Sequence, residues 1–495
     1  MRQRGWKILA AASLAFFMAL SAHGRPGGKA DGAFIIQDVT FRITGRTWER
    51  ALEKKIDIHK GRTFATIQEV EAYLKDREQL VRNQRVLSEG KITYTTSALP
   101  DGKTAVHVTV ETRDTWNVVL LPYFKYDSNS GLLLSIRARD FNFLGSMEAL
   151  KLNLDYTFTD TGDNEFGNEL TFTVPFRLVD KDWRFGLSQG LTYNAGTGDY
   201  IFNLTTSMAV DFPVKRRDWT LEFSQSYLYD DTDSYGDHQY HQSKIAFDTD
   251  FDLPWTLGRL GNLRYGPGVF AQVKYRFDRS LSDRRRGVEP GFTHSVFVER
   301  VDWHGNFRDG AALSLGNTLI YNPVEDLWRN SIDWSAAGHK AFSWVGFSGR
   351  FSGFFQFDRE RGPADSDAVG APIRGILDDR LKGDSGLFVN TDIDVKMWMW
   401  FLDPYFEVQA GPFLDLALVK RRGESFNPGE MYYGGGVQVV VFPKFARSLY
   451  LRASLGFDLE AVLDDYRIKG FAPREDDDGK RWKRWEAFIG FGHHY

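Results

Sequence analysis

Cysteine is absent from this chain of 495 residues. Without a thiol there can be no disulfide framework, no thiolate zinc site, no iron–sulfur cluster and no cysteine nucleophile. Clustered positive charge is lacking as well: the formal net charge is −4, and no block of lysine and arginine resembles a nucleic-acid footprint. We therefore do not expect nucleic acid among the partners.

Long hydrophobic runs are also scarce. The most prominent one, residues 8–22, follows Arg2, Arg4 and Lys7 and leads into the small-residue segment SAHG. A basic start, an apolar stretch of about 15 residues and a small-residue cleavage site are typical of a secretory signal peptide. An anchor helix is the alternative, but the run is shorter than the roughly 20 apolar residues that a span requires. We predict a signal peptide at residues 1–24 and export of the mature chain.

The later sequence contains no uninterrupted apolar stretch of roughly 18 residues, so the mature chain would need a closed β-barrel to enter a membrane. Residues 25–33 read as a glycine-rich linker, and residues 34–113 read as a small α+β unit. In that unit a strand is followed by two helical segments and by a hairpin around LPDGK. This pattern predicts the order β-α-α-β-β.

From about residue 114 to residue 495 the pattern is that of one strand after another. The segment 150–158, LKLNLDYTF, alternates apolar residues with polar or charged ones. A soluble sandwich also alternates. A membrane barrel is favoured because short turns alternate with long polar loops, aromatic residues collect at strand ends, and roughly 380 residues exceed one sandwich. We predict a mainly β protein whose C-terminal part is a transmembrane antiparallel β-barrel.

Counting strands gives about eighteen candidates, with about thirteen before residue 372, although two of them can be one broken strand. The final candidate, residues 482–495, places Ile489, Phe491 and Tyr495 on one face. We expect this strand to close the barrel against the first barrel strand.

With these features the chain resembles the Omp85 superfamily, in which a periplasmic POTRA domain precedes an outer-membrane barrel. Residues 34–113 have the POTRA order. The segment 117–146 is similar to the first barrel hairpin of the family, with Asn142, Leu144 and Gly145 at its periplasmic turn. PIRG, residues 372–375, resembles the family signature [V/I/L]-R-G-[F/Y] on the sixth outer loop, which folds back into the lumen. The resemblance implies sixteen barrel strands.

Some residues depart from the family pattern. Ile376 stands where the signature has an aromatic residue, and Asp394-x-Lys396 stands where the family has Glu-x-Arg. The segment GPFLDLALV resembles the family's Phe-x-Asp-x-Gly, with Ala417 in place of the glycine. The segment IKGF, residues 468–471, is also similar to the signature, and we interpret that similarity as chance. The chain offers one POTRA unit, whereas dedicated assembly factors carry several.

The resemblance implies a structural lock around Arg374. A guanidinium inside a barrel has to be paired, and the resemblance makes Asp394 and Asp415 the candidate partners, because a carboxylate can accept a bidentate fork. Gly375 would let the loop backbone approach the wall closely. The same lock includes Ile373 and Phe413. The alternative is that Arg374 is an ordinary surface arginine.

The resemblance also implies a function in the bacterial outer membrane, with the POTRA domain in the periplasm. The protein would insert barrel proteins or translocate polypeptides through a seam between residues 115–126 and residues 484–495. Expected partners are outer-membrane lipids, unfolded or secreted polypeptide clients and accessory proteins, without a cofactor. The alternative is a pore for lipid or for a dedicated secreted substrate that has no insertase activity.

Enzymatic activity is not expected, because no histidine of the chain stands in a recognisable nucleophile motif. The pair His493–His494 is also a poor metal site, because adjacent residues of a strand face opposite sides. We therefore predict neither a catalytic residue nor a metal ligand.

Overall fold

A computed structural model of the chain describes most residues from position 33 onward. The predicted signal peptide, nearly all of the predicted linker, Tyr495 and the His493–His494 pair lie outside the described residues. Within the described part, no helix is long and apolar enough to cross a membrane. The described ranges are 33–127, 131–158, 164–214, 217–233, 236–357, 369–370, 372–376, 381–399, 401–421, 424–446, 449–460, 474–475, 481–482 and 485–491.

The N-terminal unit contains a four-stranded sheet in the order β2-β1-β4-β3, with β1 and β4 parallel. Its elements follow the predicted order, with a two-residue strand added between the helices. The second helix begins where the side chain of Thr66 accepts a hydrogen bond from the Glu69 N–H, which is a regular N-cap. The elements are β1 (Phe34–Thr44), α1 (Glu49–Ile56), β2 (Thr63–Phe64), α2 (Ile67–Asn83), β3 (Leu87–Ala98) and β4 (Thr104–Asp114).

The N-terminal unit has a hydrophobic core of its own. Ile36 on β1, Leu52 on α1, Val70 on α2 and Val106 on β4 are buried in one cluster. Burial of each such side chain contributes about 1.5–3 kcal/mol. Met147, from the first short turn of the C-terminal part, packs in the same cluster. The N-terminal unit and the C-terminal part therefore share some of this core.

The C-terminal part consists of antiparallel strands that form a nearly closed barrel, with β23 and β24 pairing outside it. The strands are β5 (Val118–Asp127), β6 (Gly131–Asp140), β7 (Leu150–Phe158), β8 (Glu165–Leu178), β9 (Lys181–Asn194), β10 (Tyr200–Val214), β11 (Arg217–Asp230), β12 (Gln239–Thr249), β13 (Phe251–Thr256), β14 (Asn262–Tyr275), β15 (Val288–His304), β16 (Phe307–Asn322), β17 (Leu327–Ala341), β18 (Val345–Phe357), β19 (Ser385–Met397), β20 (Phe406–Lys420), β21 (Tyr432–Pro443), β22 (Leu451–Asp458), β23 (Arg474–Glu475), β24 (Arg481–Trp482) and β25 (Trp485–Phe491).

The described barrel has 18 strands. β12 and β13 both pair with β14, so together they count as one broken strand. The sixteen strands implied by the resemblance are therefore wrong for this chain, and the number obtained by counting alternating segments is confirmed. In the described residues, no other two candidate strands pair with the same neighbouring strand on the same side, so no further candidates merge into one strand. Each remaining barrel strand has its own partner on both sides.

The two faces of the barrel wall differ in chemistry. Exposed outward positions are apolar: Ile136 is 51% exposed and Ile245 is 52% exposed. Buried inward positions carry charge, as at Lys274 and Glu289, whose side chains form an ion pair of 3.5 Å. A soluble sandwich would have the opposite arrangement, with apolar residues inside. An apolar outer face around a polar interior is the pattern of a transmembrane barrel.

The first short turn of the barrel docks onto the N-terminal unit. The buried Asn142 side chain donates hydrogen bonds to Thr47 (2.7 Å) and to Asp114 (3.3 Å). Gly145 has φ +83°, and a Cβ there would overlap the carbonyl oxygen of Arg46, so only glycine fits this approach. Leu144, the third residue predicted at this turn, is exposed. We call this side of the barrel the short-turn end and the opposite side the long-loop end.

A second attachment lies elsewhere on the short-turn end. Arg85 follows α2, and its guanidinium carbon is 4.4 Å from the ring centroid of Trp303, 5.6 Å from that of Phe442 and 5.9 Å from that of Tyr450. One of its amino groups also donates a hydrogen bond of 3.2 Å to Asn306. Trp303 belongs to β15, whereas Phe442 belongs to β21, so this aromatic cage joins distant parts of the wall to the N-terminal unit.

Ion pairs support the same attachment. Arg300 on β15 contacts the carboxylate of Asp76 on α2 at 2.6 Å. Burial alone raises the pKa of Asp76, but hydrogen bonds from Arg300 and Arg77 outweigh it and hold this pKa below its usual value. Lys54 on α1 pairs with Asp211 on β10 at 3.4 Å. The N-terminal unit therefore lies across the short-turn end and is attached to it at several positions.

The cage predicts that Arg85→Gln weakens this attachment roughly tenfold. A desolvated cation–π interaction contributes about 1–2 kcal/mol, and about 1.4 kcal/mol corresponds to a tenfold change. Hydrogen exchange of the amides in residues 300–306 measures the effect. Arg82→Gln is the matched control, because the Arg82–Glu78 pair is exposed and such pairs contribute little. Equal exchange in the two variants would contradict the role of the cage.

Candidate functional site

The segment 372–376 folds back from the long-loop end and lies against the inner face of the barrel. Ile373, Arg374, Gly375 and Ile376 are all buried, and Arg374 is only 4% exposed. The Ile373 N–H donates to the carbonyl oxygen of Gly370 at 2.9 Å, which tightens the turn. Arg374 is therefore not a surface arginine.

Each nitrogen of the Arg374 guanidinium donates a hydrogen bond. Its Nε and Nη2 donate to the two carboxylate oxygens of Asp415, each at 2.8 Å, in a bidentate fork. Nη1 donates to Asp392 at 2.7 Å and to Gln438 at 3.0 Å. The guanidinium carbon also lies 3.8 Å from the ring centroid of Phe413. Three consecutive strands, β19, β20 and β21, thus contribute to one arginine site.

The two carboxylates expected beside Arg374 occupy different positions. Asp415 makes the fork, and the Arg374 backbone N–H donates to the same carboxylate at 2.9 Å. Asp394 does not contact Arg374; it accepts a hydrogen bond of 2.8 Å from Gln438. Asp392 makes the second direct contact instead. Sequence reasoning missed Asp392, although strand alternation places it on the same face as Asp394.

Glycines allow the loop backbone to lie directly against the wall. Gly375 has φ +84°, and a Cβ there would lie 2.6 Å from a backbone nitrogen of β22. A Cβ on Gly434 of β21 would overlap the carbonyl oxygen of Arg374. The Gly375 N–H donates to the Glu486 side chain on β25 at 3.0 Å, so the loop also contacts the last barrel strand.

Apolar residues anchor the loop beside the ionic contacts. Ile373, Ile376 and Leu381 form a buried cluster with Phe388 and Ala417. Two of the departures from the family pattern lie in this cluster: Ile376 replaces the aromatic residue and Ala417 replaces the glycine. Both substitutions keep the site apolar. The cluster shields the Arg374 ion pairs from water, which strengthens them.

The described parts of the first and last barrel strands meet at a seam. On one side, β25 pairs with β22 continuously from Leu451–Phe491 to Phe457–Trp485. On the other side, the described residues include a single registered pair with β5, Ala487 with Tyr126. Pro122 lies within β5 and has no N–H to donate, a residue that sheets tolerate mainly on edge strands.

Of the three residues predicted on one face of the closing strand, only Ile489 has a side chain within the described part of the chain. Ile489 points outward and is exposed on the apolar face. Phe491 pairs with Leu451 of β22. Tyr495, the third residue of that prediction, is outside the described part of the chain.

The described residues contain one enzyme-like sequence motif and no candidate metal cluster. They contain no group of three or more histidine, aspartate or glutamate residues that could hold a metal ion. The sequence GLSQG, residues 186–190, has the letters of the motif G-x-S-x-G, but it lies in the middle of strand β9. A nucleophile elbow needs a sharp strand-to-helix turn, so this occurrence does not indicate a hydrolase.

Comparisons with known proteins assign no family to the chain. No protein-family model matches the chain, and no curated protein matches its sequence. The structure is similar to CdiB from Acinetobacter baumannii, with 13% identity over 92% of this chain and 74% of that chain and a TM-score of 0.48. It is also similar to BamA from Haemophilus ducreyi lacking POTRA domains 1–3, with 12% identity, coverage of 92% and 85% and a TM-score of 0.40. At these scores the likenesses carry no argument about function.

The fork predicts that Arg374→Lys lowers the free energy of unfolding by about 2–3 kcal/mol, because lysine keeps the positive charge but loses hydrogen bonds to buried carboxylates. A lysine cannot form the bidentate contact with Asp415. Urea unfolding of the barrel in detergent measures the loss. Arg421→Lys, in an exposed loop at the same end, is the matched control and should be close to neutral. A loss for Arg374→Lys as small as the control would contradict the lock.

The geometry also predicts which of the two neighbouring carboxylates contributes more to the free energy of unfolding. Asp392→Asn removes a charge in direct contact with Arg374 and should cost about 2 kcal/mol. Asp394→Asn should cost less than about 1 kcal/mol, because an asparagine oxygen can still accept the bond from Gln438. The same unfolding assay compares the two variants. Equal losses, or a larger loss for Asp394→Asn, would show that the ranking is incorrect.

Proposed function

We propose that the chain is an Omp85-type protein of the bacterial outer membrane that inserts β-barrel proteins or translocates polypeptides. The observation that carries this proposal is the lumen loop, which is locked by Arg374 and contacts the last barrel strand at the seam through Glu486. The apolar outer face and the polar interior support a membrane location.

The N-terminal unit supports the role of a POTRA domain in the periplasm. Its sheet ends at β3, whose outer edge has no strand partner among the described residues. An unpaired strand edge is a template for an added strand. We infer that unfolded clients or accessory proteins bind along β3, and that the short-turn end faces the periplasm.

The seam supplies the route for a client in this proposal. When β5 separates from β25, each strand presents an unpaired edge of N–H and C=O groups. An incoming strand of a client can pair with such an edge by β-augmentation. The hydrogen bond from Gly375 to Glu486 holds β25 on the loop side, so β5 is the strand that moves. No cofactor, metal or energy source is needed for this exchange of hydrogen bonds.

The alternative is a pore for lipid or for a dedicated secreted substrate, without insertase activity. The inner face of the wall carries buried charges, among them the Lys274–Glu289 pair of β14 and β15. Acyl chains gain nothing from such a surface, because charged groups without polar partners are costly. This lining favours a polypeptide over a lipid as the substrate.

The proposal predicts that the protein, reconstituted in liposomes, folds an unfolded barrel client faster than protein-free liposomes do. A seam locked by a disulfide between Ala487→Cys and Tyr126→Cys should abolish this gain, and reduction should restore it. The disulfide is unambiguous because the chain has no other cysteine. Client folding at the protein-free rate would exclude insertase activity. Folding that persists with the locked seam would exclude the seam as the route.

A further inference from the structure

Four side chains form a continuous row across the seam on its lumen side. The guanidinium carbon of Arg452 on β22 lies 4.2 Å from the ring centroid of Phe488 on β25. The Phe488 and Tyr123 rings meet edge-on, with their centroids 6.3 Å apart and their planes at 68°. The guanidinium carbon of Arg137 on β6 lies 3.4 Å from the Tyr123 centroid. We call these four residues the seam stack.

The seam stack faces the lumen rather than the membrane. Arg452 is 5% exposed and Tyr123 is 6% exposed. Arg452 lies on the same face of β22 as Gly456, where an added Cβ would lie 2.8 Å from the Cα of Gly375 in the lumen loop. On β6 the neighbouring Ile136 points outward, so Arg137 points inward. The row therefore closes the seam from inside.

Gly490 allows the two rings to meet. A Cβ at this position would lie 2.6 Å from the Cζ atom of Phe488 and 2.7 Å from the Cε2 atom of Tyr123. The requirement is one of space. Any larger residue would wedge the rings apart.

Closure of the seam stack also has an unfavourable contribution to the free energy. Nε and Nη1 of Arg452, and Nε of Arg137, are buried without a hydrogen-bond acceptor in the described part of the chain. A buried N–H group without an acceptor costs free energy. The ring contacts favour closure, whereas separation would let water or the backbone of a client reach these groups. Such opposing terms suit a seam that closes reversibly.

We propose that the seam stack holds the seam shut on its lumen side. Phe488 and Tyr123 are then gating residues, and a client strand has to separate their rings to reach the edge of β5. This inference rests on the proposed function only for the client; the closure itself is a property of the barrel.

The test measures unfolding rates of the barrel in urea, with and without the Ala487→Cys–Tyr126→Cys disulfide. Without the disulfide, Phe488→Leu and Gly490→Ala should unfold roughly three- to tenfold faster, since an aromatic pair contributes about 0.5–1.5 kcal/mol. With the disulfide, both variants should unfold at the rate of the disulfide-bonded parent, because the seam is already closed.

Phe270→Leu is the matched control. This lumen-side ring lies 4.3 Å from the Lys244 ammonium, and it belongs to β14, away from the seam. Whatever effect this variant has should be the same with and without the disulfide. Unchanged rates in both seam variants would overturn the inference, as would an acceleration that survives the disulfide. Should Phe488→Leu fail to fold, Gly490→Ala, which adds one methyl group, decides the outcome alone.

The experiment separates this inference from the proposed function because it contains no client. A positive result together with no gain in client folding would retain the seam stack and reject the insertase. A gain in client folding with unchanged unfolding rates would retain the insertase and reject the stack.

Discussion

A guanidinium buried in a barrel lumen needs more acceptors than one strand can offer. Arg374 meets that need from β19, β20 and β21 together, and its neighbour Gly375 reaches β25. The position of the lumen loop, the close approach of its backbone and the glycines of the facing wall all follow from this requirement. Only a loop that crosses these strands, with β22 between β21 and β25, in one conformation leaves no charge uncompensated.

The same contacts make the two sides of the seam unequal. β25 is held by its ladder with β22 and by the loop through Glu486. In the described residues, β5 meets β25 at one registered backbone pair and through ring contacts. Closure at this junction therefore depends on side-chain contacts as well as on backbone pairing.

Local sequence patterns predicted the barrel strands but not the contacts between distant parts of the chain. Alternation identified the strands, their number and the apolar outer face, since each depends on neighbours two residues apart. It could not choose between Asp392 and Asp394, which share a face; the reach of the loop decides between them. The cage of Arg85 and the meeting of Tyr123 with Phe488 were not predictable, because their partners are hundreds of residues apart in the chain. Such contacts depend on how the barrel closes, which no local pattern encodes.

β21 takes part in both arginine sites. Near the long-loop end it receives the lumen loop at Gln438, and near the short-turn end its Phe442 belongs to the cage of Arg85. One strand thus connects the two openings of the barrel. Any coupling between them is thermodynamically reciprocal. A ligand of the N-terminal unit that displaces Arg85 would change the free energy of releasing the loop by the same amount as loop release changes the affinity for that ligand.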